Sequence, residues 1–294
     1  MRKLIFFLLV LTLALIPAVV TAQDSQTLTV YAASSLTNVF GQIATVFEAD
    51  HPGVTVEFNF ASSSDLAAQL SEGAPADIFA SANQRQMNVV IDAERISGDS
   101  IVFAHNRLVV IYPADNPAGL TTLADLATPG VQLVIAADGV PVRDYTETML
   151  EQMAADATYG DAFVTGFRAN VVSEEANVRQ VAAKVALGEA DAGLVYFSDI
   201  TEDIRDSVGY LDIPDAYNTI ASYPIAVLDD STQQDLAIAF IDLILSSAGQ
   251  QILVDANFIP VCLPQSADTE WTPEPEAALD ATPAVDSELD ACPA

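Results

Sequence analysis

The chain has 294 residues, 51% hydrophobic and 7% aromatic, which is enough for one large or two ordinary α/β domains with an aliphatic core. Its 41 acidic residues against 10 basic ones give a formal net charge of −31, which argues against nucleic acid and anionic membranes as partners. A small anionic ligand is compatible with this charge, because surface charges are screened beyond about 8 to 10 Å in physiological salt while dipoles inside a pocket act locally.

Residues 1–22 have the pattern of a signal peptide. Arg2 and Lys3 precede an apolar run over residues 4–20, and small residues lead to a cleavage position after Ala22. A membrane anchor is the alternative, although the run is short for a bilayer span. We therefore predict export to the periplasm or to the outer face of the cytoplasmic membrane, with no direct membrane insertion of the mature chain.

The mature chain opens with the same local order twice: a strand, a hydroxyl-rich turn and a helix. Leu28–Ala32 is a predicted strand followed by Ser34 and Ser35, after which apolar residues recur at helical spacing. Val54–Phe60 alternates like a second strand and is followed by Ser62-Ser63-Ser64. Both turns would lie at the carboxyl edge of one parallel sheet, where α/β proteins bind ligands, and their free N–H groups and hydroxyls suit an anion.

The second half of the chain continues the alternation of strands and helices. Two β-type stretches, Ser100–Tyr112 and Ser222–Leu228, are candidates for crossing into a second lobe and for returning from it. The other predicted elements that bear on function are a strand over Val131–Ala136 with a helix after Pro141, a strand over Phe167–Val172, a helix opened by Glu174–Val178 and a strand over Ala192–Tyr196.

Two crossings predict an α/β protein of two lobes with a ligand cleft between them, each lobe being a mostly parallel sheet flanked by helices. We assign residues 23–104 and 222–264 to lobe 1 and residues 105–221 to lobe 2. The remaining segment, 265–294, is rich in Asp, Glu, Pro, Ala and Thr, and we expect it to be a disordered acidic tail.

Residue types that carry metal or nucleophilic chemistry are sparse. Export permits a disulfide between Cys262 and Cys292, and two independent thiols are the alternative. His51 and His105 lie outside any motif, and no spacing suits a metal. We predict no metal site, no cofactor and no enzymatic activity. A serine hydrolase is the weaker alternative, because the serines have neither a Gly-x-Ser-x-Gly elbow nor a base in a recognisable setting.

Four motifs follow one another along the chain: AASSLTN at 32–38, FASSS at 60–64, GAPADIFASA at 73–82 and VYFSD at 195–199. Together they resemble the periplasmic molybdate-binding proteins of ABC importers, and the likeness extends over roughly Thr27–Pro260. Each motif alone is weak, because a serine before a helix is most often only a cap.

The resemblance implies a periplasmic-binding-protein fold of type II that closes on a tetrahedral oxyanion, molybdate or tungstate, and delivers it to an ABC permease. We expect such a protein to act as a monomer. By motif position, the five ligand groups of the family fall on the hydroxyls of Ser35, Ser63 and Tyr196 and on the backbone N–H groups of Val142 and Val178.

The residues themselves suit this chemistry, because four of the five positions are predicted helix N-termini, where N–H groups and the helix dipole favour an anion. Sulfate or phosphate is the alternative ligand. Arg143 stands where a glycine is common in the family. Its side chain either points outward and pairs with Asp144 or another acid, or leans toward the anion.

Overall fold

The computed structural model describes residues 25–264 and 289–293, so the predicted signal peptide and most of the predicted tail lie outside it. The strands are β1 Gln26–Ala33, β2 Val54–Ala61, β3 Ile78–Ala80, β4 Ile101–Asn106, β5 Leu108–Pro113, β6 Leu133–Ala136, β7 Val171–Glu175, β8 Ala192–Tyr196, β9 Val208–Asp212, β10 Ala221–Val227 and β11 Ile259–Pro260. The helices are α1 Thr37–Asp50, α2 Ser63–Ser71, α3 Gln84–Asp92, α4 Pro141–Ala155, α5 Gly160–Asn170, α6 Val178–Ala186, α7 Gln234–Leu245 and α8 Ser247–Asp255.

The strands form two sheets flanked by helices, one sheet in each lobe. The sheet of lobe 1 has the order β11-β4-β10-β3-β1-β2, and that of lobe 2 has the order β7-β6-β8-β5-β9. The chain enters lobe 2 between β4 and β5 and returns between β9 and β10. These two crossings lie side by side, because β4 and β10 are paired, with His105 opposite Ser222.

Both sheets are mixed, so the expectation of mostly parallel sheets is wrong. β1 pairs in parallel with β2 and β3, and β6 with β7 and β8. The strands that carry the chain between the lobes, β4, β5 and β10, pair antiparallel with their neighbours. Two consecutive strands can pair in parallel only if a crossover of a dozen or more residues, usually a helix, connects them. A strand that arrives directly from the other lobe is not preceded by such a crossover.

The predicted strand Phe167–Val172 is also wrong over most of its length, because α5 continues to Asn170 and β7 begins only at Val171. Phe163, Phe167 and Asn170 are buried at positions i, i+4 and i+7, which is the spacing of one helix face.

The core of lobe 1 is built on β1 and α1. Leu28, Val30 and Ala32 alternate as fully buried residues along β1. On α1, Phe40 and Phe47 lie seven residues apart on one helix face and are both fully buried. This apolar face packs the amphipathic helix against the sheet. The packed strand and helix fix the short connection between them, which contains Ser34 and Ser35.

A disulfide joins Cys262 to Cys292, 30 residues later in the chain. Leu263 also forms a β-bridge with Ala291. The expectation of a disordered segment from 265 to 294 therefore fails for residues 289–293, because a covalent link and backbone pairing hold them against lobe 1.

Among the described helices, none is individually long and apolar enough to cross a membrane. The pair α7 and α8 reaches that length and hydropathy only in combination, and it is bent by 61°. Phe240, Ile244 and Leu253 of this pair are fully buried in lobe 1.

Candidate functional site

All five residues predicted to bind the ligand line one small cavity between the lobes. The volume of this cavity is about 10 Å³. That space suits a compact group of a few atoms and is too small for an organic cofactor. The lining residues are Ala33, Ser34, Ser35, Ala61, Ser62, Ser63, Ala82, Val140, Pro141, Val142, Val178 and Tyr196.

Ser63 is the first residue of α2 and is almost fully buried. The preceding Ser62 caps the helix, since its Oγ accepts a hydrogen bond from the Asp65 N–H at 3.2 Å. Ser63 Oγ accepts a hydrogen bond from the Ala82 N–H at 3.0 Å. With an acceptor role already filled by the protein, the hydroxyl hydrogen of Ser63 is available to a ligand.

Ser35 lies in the 3-10 turn Ser34–Leu36, which leads directly into α1. It is 2% exposed, and its Oγ lies 3.1 Å from the hydroxyl of Tyr223 on β10. The serine therefore faces the cavity on one side and a buried tyrosine on the other.

Val142 and Val178 present backbone N–H groups from lobe 2. Val142 is the second residue of α4, after Pro141, and Val178 is the first residue of α6. Asn177 caps α6 by accepting a hydrogen bond from the Gln180 N–H at 3.1 Å. N–H groups in a first helical turn have no intrahelical acceptor, and the helix dipole adds positive potential there. The two lobes thus direct helix N-termini at the same cavity.

Tyr196 ends β8 and is 1% exposed. Its hydroxyl has no hydrogen-bond partner among the described residues. Burial raises the pKa of Tyr196 well above its ordinary value, so the hydroxyl keeps its proton at neutral pH. A protonated phenol without a protein partner at a cavity wall is a donor that a bound anion can use.

Comparisons with known proteins give the family of this chain. A family model described as bacterial extracellular solute-binding protein matches residues 28–259. The chain belongs to this family. Members of the family are solute-binding proteins and not enzymes. Neither His51 nor His105 lines the cavity, so a serine nucleophile there would have no histidine base.

The solute-binding protein also has specific relatives. It is 39% identical to the molybdate-binding protein ModA of Mycobacterium tuberculosis over 236 residues, which is 80% of this chain and 85% of the relative. The periplasmic molybdate-binding protein of Azotobacter vinelandii superposes with a TM-score of 0.67 at 20% identity, covering 81% of this chain and all of the other. The sulfate-binding protein SubI of M. tuberculosis superposes with a TM-score of 0.71 at 19% identity, covering 80% of this chain and 87% of the other. At these identities the two structures show the shared fold alone.

The positively charged side chain of Arg179 lies close to the cavity. Arg179, the residue after Val178, crosses from lobe 2 and donates hydrogen bonds to the carbonyl oxygens of Ser34 and Ser35, each at 3.2 Å. Its Nε also lies 3.1 Å from Oδ1 of Asp199, a fully buried carboxylate whose other oxygen accepts the Tyr196 N–H at 3.1 Å. The charges of Arg179 and Asp199 compensate each other, so this pair adds no net formal charge beside the cavity.

A second set of contacts joins the lobes on another side of the cavity. The carboxylate of Asp144 on α4 accepts hydrogen bonds from Asn83 at 3.1 Å and from Arg85 at 2.7 Å, both in lobe 1. The Gln86 side chain donates to the Gly139 carbonyl at 3.0 Å. Direct hydrogen bonds therefore join the two lobes on this side of the cavity.

Arg143 points away from the cavity and pairs with Glu147 and Glu174, at 2.6 and 2.7 Å. Of its two expected orientations, the outward one is found, with these two acids in place of Asp144. Sequence patterns gave no signal for Tyr223 or for the Arg179–Asp199 pair, because their partners are distant in the chain. Within the described residues, no cluster of three or more His, Cys, Asp or Glu side chains is placed to hold a metal ion.

Proposed function

We propose that this protein binds molybdate, and also tungstate, in the cavity between its lobes. The observation that carries the proposal is the convergence of five neutral donors on one small space: the hydroxyls of Ser35, Ser63 and Tyr196 and the N–H groups of Val142 and Val178. The relative that is 39% identical is a molybdate-binding protein, which supports the choice of oxyanion.

Selection among oxyanions would rest on size and on the direction of the hydrogen bonds. A cavity fitted to metal–oxygen bonds, which are longer than sulfur–oxygen bonds, contacts sulfate poorly, and each donor left unpaired costs about 1 to 3 kcal/mol. Sulfate or phosphate is the second candidate ligand, since the fold of SubI is shared. The 19% identity to SubI gives that candidate less support.

The proposed role in transport follows from the family. The protein would be exported, would act as a monomer, and would close its lobes on the anion about the paired crossings at His105 and Ser222, whose side chains are 3.1 Å apart. An ABC permease would then receive the anion from the closed form.

Calorimetric titration with molybdate, tungstate, sulfate and phosphate tests the ligand. We expect submicromolar affinity for molybdate and tungstate and at least about hundredfold weaker binding of sulfate and phosphate, since two or more imperfect hydrogen bonds account for that ratio. Tight binding of sulfate without binding of molybdate would refute the proposal.

A matched pair of variants tests the site. Ser63→Ala removes a donor at the cavity wall and should weaken molybdate binding about tenfold or more. Ser64→Ala changes the adjacent serine, which does not line the cavity, and should leave the affinity within about twofold. Equal effects of the two substitutions would contradict the assignment of Ser63.

A further inference from the structure

We infer that Tyr223 is a specificity-determining residue: it donates its hydrogen bond to Ser35 and thereby forces the Ser35 hydroxyl to act only as a donor in the cavity. The inference rests on the proposed function and deepens it. Tyr223 does not line the cavity, so its effect is exerted through Ser35 and it is a positioning residue.

The direction of this hydrogen bond is set by Asn106. The Oδ1 of Asn106 accepts from the Arg107 N–H at 2.9 Å, and a backbone N–H can only donate, so the amide orientation is fixed. The Nδ2 group of Asn106 therefore faces the opposite way, where it donates to Ser198 Oγ at 2.8 Å. A hydrogen bond of the Asn106 side chain with Tyr223 also opposes the rise that burial causes in the pKa of this phenol. Tyr223 is thus the acceptor in its contact with Asn106.

The hydroxyl hydrogen of Tyr223 must still find an acceptor. Tyr223 is fully buried, and burial raises its pKa well above the ordinary value, so the proton stays on the phenol. Ser35 Oγ, 3.1 Å away, is the acceptor that the described residues provide. Leaving a buried donor unpaired is unfavourable, so the chain of donation runs from Asn106 to Tyr223 to Ser35.

The consequence reaches the ligand. Because Ser35 Oγ already accepts from Tyr223, its own hydrogen is directed into the cavity, as is that of Ser63, whose Oγ accepts from the Ala82 N–H. Val142 and Val178 offer N–H groups, which can only donate. A fully deprotonated oxyanion satisfies all of these groups, whereas hydrogen phosphate brings an O–H that needs an acceptor.

The test compares hydrogen phosphate with sulfate at a mildly alkaline pH, where the two tetrahedral anions are of similar size and equal charge and differ in one proton. Each anion displaces molybdate in a competition titration of the wild-type protein and of Tyr223→Phe. The substitution frees Ser35 Oγ to accept from the phosphate O–H. We expect the ratio of phosphate to sulfate affinity to rise about tenfold, with the ratio of molybdate to sulfate affinity unchanged.

Tyr145→Phe is the matched control. The Tyr145 ring packs against Tyr196, as that of Tyr223 does, but its hydroxyl contacts the Ala82 carbonyl and the Ser222 N–H and not a cavity hydroxyl. This variant should keep the wild-type phosphate to sulfate ratio. A general loosening of the structure would move both variants alike.

A second variant reverses the direction of the hydrogen bond between Tyr223 and Ser35, and it tests the inference if Tyr223→Phe fails to fold. In Asn106→Asp the carboxylate can only accept, so Tyr223 would donate to it and accept from Ser35, and the phosphate to sulfate ratio should again rise. An unchanged ratio in the folded variants, with molybdate still bound by the wild type, overturns the role of Tyr223 alone. A wild-type protein that binds no tetrahedral anion overturns the proposed function and this inference together.

Discussion

Tyr196 combines two properties that rarely occur together: it is almost completely buried, and its hydroxyl has no partner among the described residues. A buried hydroxyl without a hydrogen-bond partner destabilises the fold. The same hydroxyl at the wall of a polar cavity can contribute fully to ligand binding. Its effects on stability and on binding should therefore separate.

Tyr196→Phe tests that separation. We expect the free energy of unfolding without ligand to rise by up to about 1 to 3 kcal/mol, because an unpaired buried donor is removed, while molybdate affinity falls about tenfold or more. Urea denaturation and calorimetry measure the two quantities. Tyr217→Phe removes a hydroxyl that donates to Asp156 at 2.9 Å, away from the cavity, and should leave the affinity unchanged. A parallel loss of stability and affinity in Tyr196→Phe would contradict the assignment.

Asp199 should produce a pH dependence of stability. Burial raises its pKa from 3.8 to about 6, although Arg179 and the Tyr196 N–H act in the opposite direction. Between these two values the folded protein holds a proton that the unfolded chain releases. The contribution of Asp199 to the free energy of unfolding therefore falls as the pH rises through that window.

Asp199→Asn removes this titration. The stability of the wild type minus that of the variant should fall by about 2 kcal/mol from pH 4 to pH 6, since a tenfold change in proton affinity equals about 1.4 kcal/mol and the folded carboxyl is half-titrated at pH 6. Urea denaturation across this range measures it. Asp203→Asn is the control of opposite sign, because a hydrogen bond from Thr201 lowers the pKa of Asp203. A wild-type advantage that grows from pH 4 to pH 6 would refute the assignment to Asp199.

At the scale of elements, α3 and α4 approach each other from opposite lobes. Asp144 on α4 accepts from Asn83, which caps α3, and from Arg85 within α3. The Arg85 side chain is 64% exposed, so the ion pair is partly screened and contributes modestly. These contacts require the lobes to touch, so they favour the arrangement in which the cavity is enclosed.

Asp144→Ala should therefore weaken molybdate binding through faster dissociation. We expect about a threefold loss of affinity relative to Asp138→Ala, which removes the same charge from an exposed position nearby. The comparison isolates the contacts between lobes from the change in net charge near an anion. Stopped-flow dissociation rates provide the measurement, and equal rates for the two variants would show that the contacts do not hold the lobes.

Helix starts depend largely on local chemistry, although the predicted opening of α6 at Glu174 was too early, because Glu174 lies in β7 and α6 begins at Val178. Ser62 and Asn177 are capping residues and Pro141 suits a first helical position, so the beginnings of α2, α4 and α6 follow from local chemistry. α5 was missed because its polar and small residues weaken the helical pattern. Its buried face becomes evident only from packing against the rest of lobe 2.

At the scale of the whole molecule, the disulfide between Cys262 and Cys292 ties the end of the chain to lobe 1. Cys262 Sγ lies 3.8 Å from the carbonyl of Leu245 at the end of α7, and neither cysteine lines the cavity. The link should therefore affect stability without affecting the ligand.

Cys292→Ser should lower the free energy of unfolding by up to about 3 to 4 kcal/mol, the value that chain entropy gives for a closed loop of about 30 residues. Molybdate affinity should stay within about twofold of the wild type, since no cavity contact changes. Denaturation and calorimetry of both proteins without reductant measure the two effects. A large loss of affinity would show that the C-terminal segment reaches the cleft.

The sequence alone determined the alternation of strands and helices and the two crossings, because apolar periodicity and helix capping are local signals. The five residues that line one cavity followed from the resemblance of the sequence motifs to the molybdate-binding family. The sequence also carried the family, which the comparisons confirm. The tertiary structure alone decided the mixed pairing of the sheets, the disulfide, the outward orientation of Arg143 and the contact of Ser35 with Tyr223. Ser35 and Tyr223 are 188 positions apart, and no local pattern encodes which distant group a hydroxyl meets when two lobes pack together.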